Sequence, residues 1–424
     1  MLKKVVLTVF AAMLIVFGAS ISYANQVDGM VSGTGPNLPT GIQTSINPGG
    51  LGDSLLYGYY NVRGNLNLFN IVNTSATDGA KVRVVFRNAK NSKECLDFSV
   101  CLSRGDVWTA YLIDNGTTAA ICPYDTDTAS APAIPAGCQS FKYEGAGGIT
   151  GVKADDCREG YFEVIGMYDI PNYDHNTCTA GPNCPKTETY CRDYISNYDV
   201  GNVLMGNNTI FELATLATYS YNATAIADSA LTPVALPSGR ELSIPYAMAN
   251  GCGEADYIFM KSNIMAPYDI ISGIGGETEM IITFPTRLEC HNTSLSTDMF
   301  EGDKDPASGI QYCTSIGITV WDDKEHRLDI TDFSPSVGRC LPYEVNVIRI
   351  GGSLIWDSTV ANVVSVGSFD LGWVNIDLYA GTPEHSISYG DMISYGLPAV
   401  AYTTQSFLGG TASYMVPATY RTNI

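Results

Sequence analysis

From Leu55 the chain becomes strand-like, and several short runs alternate apolar and polar residues. In residues 81–87, Val82, Val84 and Phe86 alternate with Lys81, Arg83 and Arg87. In residues 95–102, Leu96, Phe98, Val100 and Leu102 alternate with Cys95, Asp97, Ser99 and Cys101. A period of two marks a strand with one buried face and one wet face. Residues 66–73 and 107–113 have the same character, and turn signals at Asp78-Gly79, 88–93 and Arg104-Gly105-Asp106 separate the runs. Strand patterns return at 203–213 and 218–226, and again at 279–284, 316–321, 343–350, 360–366 and 373–379. In the last of these, Val374, Ile376 and Leu378 alternate with Asn375 and Asp377. A short helix is expected over 255–264. Residues 231–246, with Pro233, Pro237 and Pro245, form a candidate linker. The predicted fold is mainly β. It has two antiparallel β-sandwich-like domains, 53–230 and 247–424, with a disulfide-rich loop insertion in the first.

That insertion spans 115–200. It holds six of the twelve cysteines among many Pro, Gly and Asp, and only 160–170 reads as a strand. Eight cysteines precede the linker: Cys95, Cys101, Cys122, Cys138, Cys157, Cys178, Cys184 and Cys191. Four follow it: Cys252, Cys290, Cys313 and Cys340. Both counts are even, which suits bridges confined to each half. If Leu96, Phe98 and Val100 face the core, Cys95 and Cys101 point outward on one face. Six residues of strand hold their Cα atoms about 20 Å apart, beyond the reach of one bridge. Each is therefore expected to pair with an insertion cysteine. Cys178, Cys184 and Cys191, near His175, have the composition of a zinc site, but their spacing is loose and no Cys-x-x-Cys occurs.

The first residues set the compartment. Lys3 and Lys4 precede an apolar stretch, 5–21, which ends in the small-x-small triplet Ser22-Tyr23-Ala24. Residues 1–24 read as a secretory signal peptide, leaving no membrane span after cleavage. Export makes disulfides the expected fate of the thiols. The mature protein is expected at the cell surface or in the extracellular space. Residues 25–52, rich in Gly, Pro, Asn and Ser, read as a flexible arm able to pair as an added strand. The formal net charge of −20 repels nucleic acid and anionic lipid, so neither is an expected partner.

Catalytic chemistry is hard to find. The four histidines, His175, His291, His326 and His385, are scattered. There is no Gly-x-Ser-x-Gly elbow and no phosphate loop, so no catalytic residue is assigned and no enzyme activity is expected. Asp322-Asp323 follows a strand, but neighbouring strand residues point to opposite faces. Trp321, Trp356 and Trp373 are candidates for sugar-stacking platforms or for core. Glu301, Asp303 and Asp305 alternate like the opening of a calcium loop, although Pro306 replaces the turn glycine and no acid closes the loop. They are the candidate metal ligands, for a structural calcium, and no other cofactor is expected.

Two stretches carry a resemblance. One runs through Phe69-Asn70-Ile71-Val72-Asn73-Thr74-Ser75, Val82-Arg83-Val84-Val85-Phe86-Arg87, Leu96-Asp97-Phe98 and Asp106-Val107-Trp108-Thr109-Ala110. The other runs through Ile281-Ile282-Thr283-Phe284-Pro285-Thr286 and Tyr343-Glu344-Val345-Asn346-Val347-Ile348. Together they resemble a group of largely uncharacterised secreted, β-rich surface proteins of Gram-negative bacteria. The resemblance implies export and a β-rich fold, and it transfers no catalytic residue. The expected role is that of a secreted structural protein, a subunit of a surface layer, filament or extracellular matrix. Its expected partners are further copies of itself or other surface proteins. The alternatives are an adhesin binding glycans or another ligand, and a secreted hydrolase.

Overall fold

The computed structural model describes residues 44–125, 127–131, 137–178, 186–196, 199–229, 242–248, 250–291, 300, 314–331, 340–351, 355–380, 385–389 and 392–421. They are mainly β. The first sheet has seven strands, in the order Ser45–Ile46, Thr224–Ala227, Ser54–Asn61, Glu159–Ile170, Gly79–Asn88, Glu94–Leu102 and Ala129–Ala131. The second has six: Thr218–Asn222, Leu204–Glu212, Asn65–Asn73, Val107–Asp114, Ala119–Pro123 and Gln139–Ser140. The third sheet orders Arg327–Ile330, Gly317–Asp322, Leu371–Asp377, Asn263–Asp269 and Thr419–Arg421. The fourth orders Ala361–Val364, Val345–Ile350, Glu277–Thr283, Val400–Phe407 and Ala412–Pro417. Within these sheets the pairing is antiparallel, except where Val345–Ile350 meets Ala361–Val364.

The alternating runs all lie in strands, but several elements differ from expectation. The helix is Gly251–Phe259, and the chain then extends as the strand Asn263–Asp269. The run 218–226 breaks at Ala223, which carries the chain from the second sheet into the first. Part of the expected arm, Ser45–Ile46, pairs with Ala227 and Ile226 of its own first sheet. The end of the expected linker is also packed: Ile244–Ala247 is a short helix, with Ile244 and Ala247 buried.

The first and second sheets close on an aromatic core. Tyr57 and Phe162 stack with centroids 4.1 Å apart, and Phe69 meets Trp108 edge-on. The third and fourth sheets enclose a second core, with Ile264, Ile318, Val374 and Ile376 facing Met280, Ile282 and Ile348. The two sandwiches are not separate. The first core runs on through the helices of 244–259 into Ile281, Val345, Val347, Tyr402 and Met415 of the fourth sheet. Ser54–Asn61 and Val345–Ile350 are among the strands consequently covered on both faces. Burial on both sides removes the alternation that reveals a strand in sequence. Gly58 is part of this fit, since a Cβ there would lie 2.7 Å from the Tyr402 ring.

Polar groups tie the seam. Thr283 Oγ1 donates to the Gly58 carbonyl at 2.6 Å, and the Val345 N–H donates to the Ala89 carbonyl at 2.9 Å. Arg87 and Glu163, both fully buried, pair at 2.7 Å. Arg87 Nη2 also donates to the Leu242 carbonyl at 3.0 Å, and Glu163 accepts the Ile244 N–H at 3.0 Å. The expected wet face of this strand is therefore covered. The same holds at Lys81, whose Nζ donates to the carbonyls of Arg192 and Tyr194, each at 2.9 Å.

Two further carboxylates, one from each half, hold the segment around Trp356. Glu159 accepts from Tyr59 Oη at 2.9 Å, Ser358 Oγ at 2.5 Å and the Thr359 N–H at 3.0 Å. Glu279 accepts from Arg349 Nε at 2.8 Å and the Ile355 N–H at 3.2 Å. Trp356 is thereby pressed against the rings of Tyr59 and Tyr219, at 5.8 and 4.6 Å.

Among the described residues, disulfides join Cys95–Cys157, Cys101–Cys191, Cys122–Cys138 and Cys252–Cys290. Cys178 is also bonded, and among the described residues no cysteine is free. Cys184, Cys313 and the side chain of Cys340 lie outside the described residues. Cys101 stands on the outward face, opposite Lys81, under a satellite core with Ala129, Ile170, Tyr173 and Cys191. Cys95 does not share that face. The register shifts from Phe86–Leu96 to Arg87–Glu94, and this bulge turns Cys95 into the main core.

Two outcomes follow from this packing. Replacing Cys101 and Cys191 together by serine should lower the unfolding free energy by about 2–4 kcal/mol, measured by urea denaturation. Burial pushes Glu279 from 4.5 up to about 7, more than Arg349 pulls it down. Burial likewise pushes Asp53 from 3.8 up to about 7, against a hydrogen bond from Ser229. The folded state thus keeps protons that the unfolded chain releases. The stability from these two groups is full below their unfolded values and is lost as pH rises through about 7. Thermal unfolding should have a higher midpoint near pH 5 than near pH 8, with a shallower fall in Glu279→Gln.

Candidate functional site

Of the tryptophans, Trp108 and Trp356 are buried, at 1% and 2% exposure. Trp321 and Trp373 lie on the outer face of the third sheet. Strand alternation puts them there: Val320 and Val374 turn into the core, so their neighbours turn out. Register brings the pair together. Arg327, Trp321, Trp373 and Pro267 stand directly across four adjacent strands. The two indoles stack with centroids 4.0 Å apart and planes 4° from parallel. The Arg327 guanidinium lies over Trp321, 5.9 Å from its centroid. Trp321 thus has both ring faces attended. Trp373 has one face on its partner and remains 40% exposed, next to the exposed Pro267.

Polar side chains flank this row. Asp329, Thr319, Asn375 and Met265 form the next row across the same four strands. Asp329 accepts from Thr319 Oγ1 at 2.8 Å and from Arg327 Nη2 at 2.9 Å, so these charges are paired on the surface. Asn375 Oδ1 accepts from Asn263 Nδ2 at 3.2 Å. On the other side Leu371, 40% exposed, stands opposite Asp269, whose carboxylate accepts the Ile271 N–H at 3.0 Å. Beneath the row, Tyr268 Oη donates to the Trp321 carbonyl at 3.2 Å. Burial, with Asp322 and Asp323 nearby, pushes Tyr268 up to about 12, so it remains a neutral donor. The arrangement offers one open aromatic face with hydrogen-bonding groups on both sides.

The other candidates are placed differently. Asp322 builds a turn, accepting the N–H groups of Lys324 at 2.9 Å and His326 at 2.7 Å, while Asp323 is exposed beside it. Glu301, Asp303 and Asp305 lie outside the described residues. Among the described residues no group of three His, Cys, Asp or Glu could hold a metal. A shallow depression lies where the second and fourth sheets meet at their edges, lined by Leu216, Thr218, Phe407 and Tyr414 among others. Its lining includes no carboxylate, imidazole or thiol. No described helix is long and apolar enough to cross a membrane.

Among the described residues, the buried charges Arg87, Glu159, Glu163 and Glu279 carry an extensive set of polar contacts, and their spacing gave no hint of it. The Trp pair had a signal: the alternation of Val374 and Ile376 already sends Trp373 outward.

Stacked indoles couple their transitions. The protein should show an exciton-coupled circular dichroism signal that is lost in Trp373→Phe and in Trp321→Phe alike, and kept in Trp356→Phe. No protein-family model, curated protein or solved structure matches this chain.

Proposed function

We propose that this chain is a secreted structural protein of the cell surface, a subunit of a surface layer, filament or extracellular matrix. The observation that carries the reading is that the first core runs on from the first sandwich into the fourth sheet of the second. Neither half can open without exposing apolar area of the other, so the body responds to load as one unit. At roughly 25 cal/mol per Å² of apolar area, such a shared face is a strong restraint. The disulfides suit the same role in an oxidising compartment, where such bonds form and persist.

Edge design is consistent with controlled assembly. The third sheet ends in Arg327–Ile330, which shows Arg327 and Asp329 to solvent, and the first sheet ends in the two-residue strand Ser45–Ile46. Charged and short edges discourage indiscriminate strand addition. Assembly through a dedicated segment is then the better route, and residues 25–43, which precede Ser45–Ile46, are that segment in this proposal.

Deleting residues 25–43 should leave a folded monomer that no longer assembles. Extending the deletion to residue 52 should also lower the thermal midpoint. It removes the Thr44 N–H bond to Glu254 at 2.8 Å and the Gly52 bridge to Leu204. Electron microscopy of sheared native surface material, with mass spectrometry to identify the chain, tests the role itself. Ordered sheets or fibres containing the chain support it, and recovery only as dispersed monomers counts against it.

A further inference from the structure

We propose that the ledge between Trp373 and Pro267, on the outer face of the third sheet, is a binding site for neutral glycans. The inference is independent of whether the protein polymerises.

The ledge has a wall and a floor. Its wall is the open face of Trp373, and its floor is the exposed Pro267 on the neighbouring strand. Past Pro267 the sheet stops, because Thr419–Arg421 pairs only with Asn263–Met265. The site is therefore open on one side, as an extended chain requires. A pyranose ring is about as large as one indole. Its axial C–H groups are electropositive, and they suit the negative face of an aromatic ring.

Polar groups stand where sugar hydroxyls would fall. Asn375 flanks the ledge on one side and Asp269 on the other, each directly across from a residue of the adjacent strand. An amide and a carboxylate together offer donors and acceptors for a pair of hydroxyls. The wall is also preorganised. Trp373 is stacked on Trp321, and Trp321 is backed by Arg327, so binding freezes little that is not already fixed.

Charge selects the neutral class. Arg327 is paired with Asp329, so the nearest cation on this row is neutralised. Asp269 on the rim and a net charge of −20 repel an acidic polysaccharide. A proline-rich peptide would need an aromatic-lined groove. Here a single wall rises from an open sheet face, which favours the glycan.

The test is retention of the purified mature protein on cellulose, chitin, starch and β-1,3-glucan. Alginate serves as the acidic polymer and a soluble proline-rich peptide as the competitor. At least one neutral polysaccharide should retain the protein, and its soluble oligosaccharide should change the tryptophan fluorescence. Trp373→Ala should weaken that binding roughly tenfold or more, about 1.4 kcal/mol. Pro267→Glu places a charge on the floor and leaves both indoles intact. It should abolish retention while the coupled dichroism signal persists, which separates loss of the site from loss of the fold. The proposal is overturned if none of the four neutral polymers retains the protein, or if retention survives both substitutions. It is equally overturned if only alginate or the peptide binds, and the face then belongs to that partner.

Discussion

The structure depends on one constraint: a core shared between two sandwiches must stay dry while carrying ion pairs. Gly58 lies under Tyr402, Thr283 bonds the Gly58 carbonyl, and Val345 bonds Ala89. These contacts set the first and fourth sheets against each other and leave strands of both without a solvent face. Once that is so, every charge on those faces needs a partner. Arg87 has Glu163, Arg349 has Glu279, and Glu159 takes hydrogen bonds from the segment that follows Trp356. Burying such pairs adds little net stability compared with a well-packed apolar core, but breaking one costs heavily. Their effect here is directional. An incorrect docking of the halves would deprive Glu159 of its bonds from Ser358 and Thr359, and Arg87 of its bond to Glu289.

Much of the architecture was legible because strands with one covered face announce themselves. The runs around Val82, Phe98, Val320 and Val374 alternate, and the structure places each in a strand. The reading failed where its assumption failed. Ser54–Asn61, with tyrosines on both faces, does not alternate because neither face meets water. Arg87 and Lys81 look like residues of a wet face, yet one is covered by the segment beginning at Leu242 and the other by carbonyls of the insertion. Only the tertiary fold supplies those covers. Glu159 and Glu279 were invisible for the same reason, since an acidic residue in a strand is ordinarily a surface residue.

The outer aromatic row shows the opposite case. Nothing in a count of tryptophans separates Trp356 from Trp373. Their immediate neighbours do: Trp373 is out of phase with Val374 and Ile376, which are buried. Its partner could not be read locally. Trp321 lies fifty-two positions away, and only the register of two antiparallel strands makes them neighbours. Local pattern gives the direction in which a side chain points. The register decides what it meets.

The contact between Gly58 and Tyr402 also has a bearing on the order of events in the life of the chain. The first sandwich cannot seal its inner sheet until a strand near the far end arrives, and so its core closes late. Long-range closures of this kind slow folding. A chain halted before its last strands is therefore held short of its final state, with the inner face of the first sandwich still open to water. The shared core thus acts as a timing device as well as a restraint, linking the arrival of the last strands to completion of the fold.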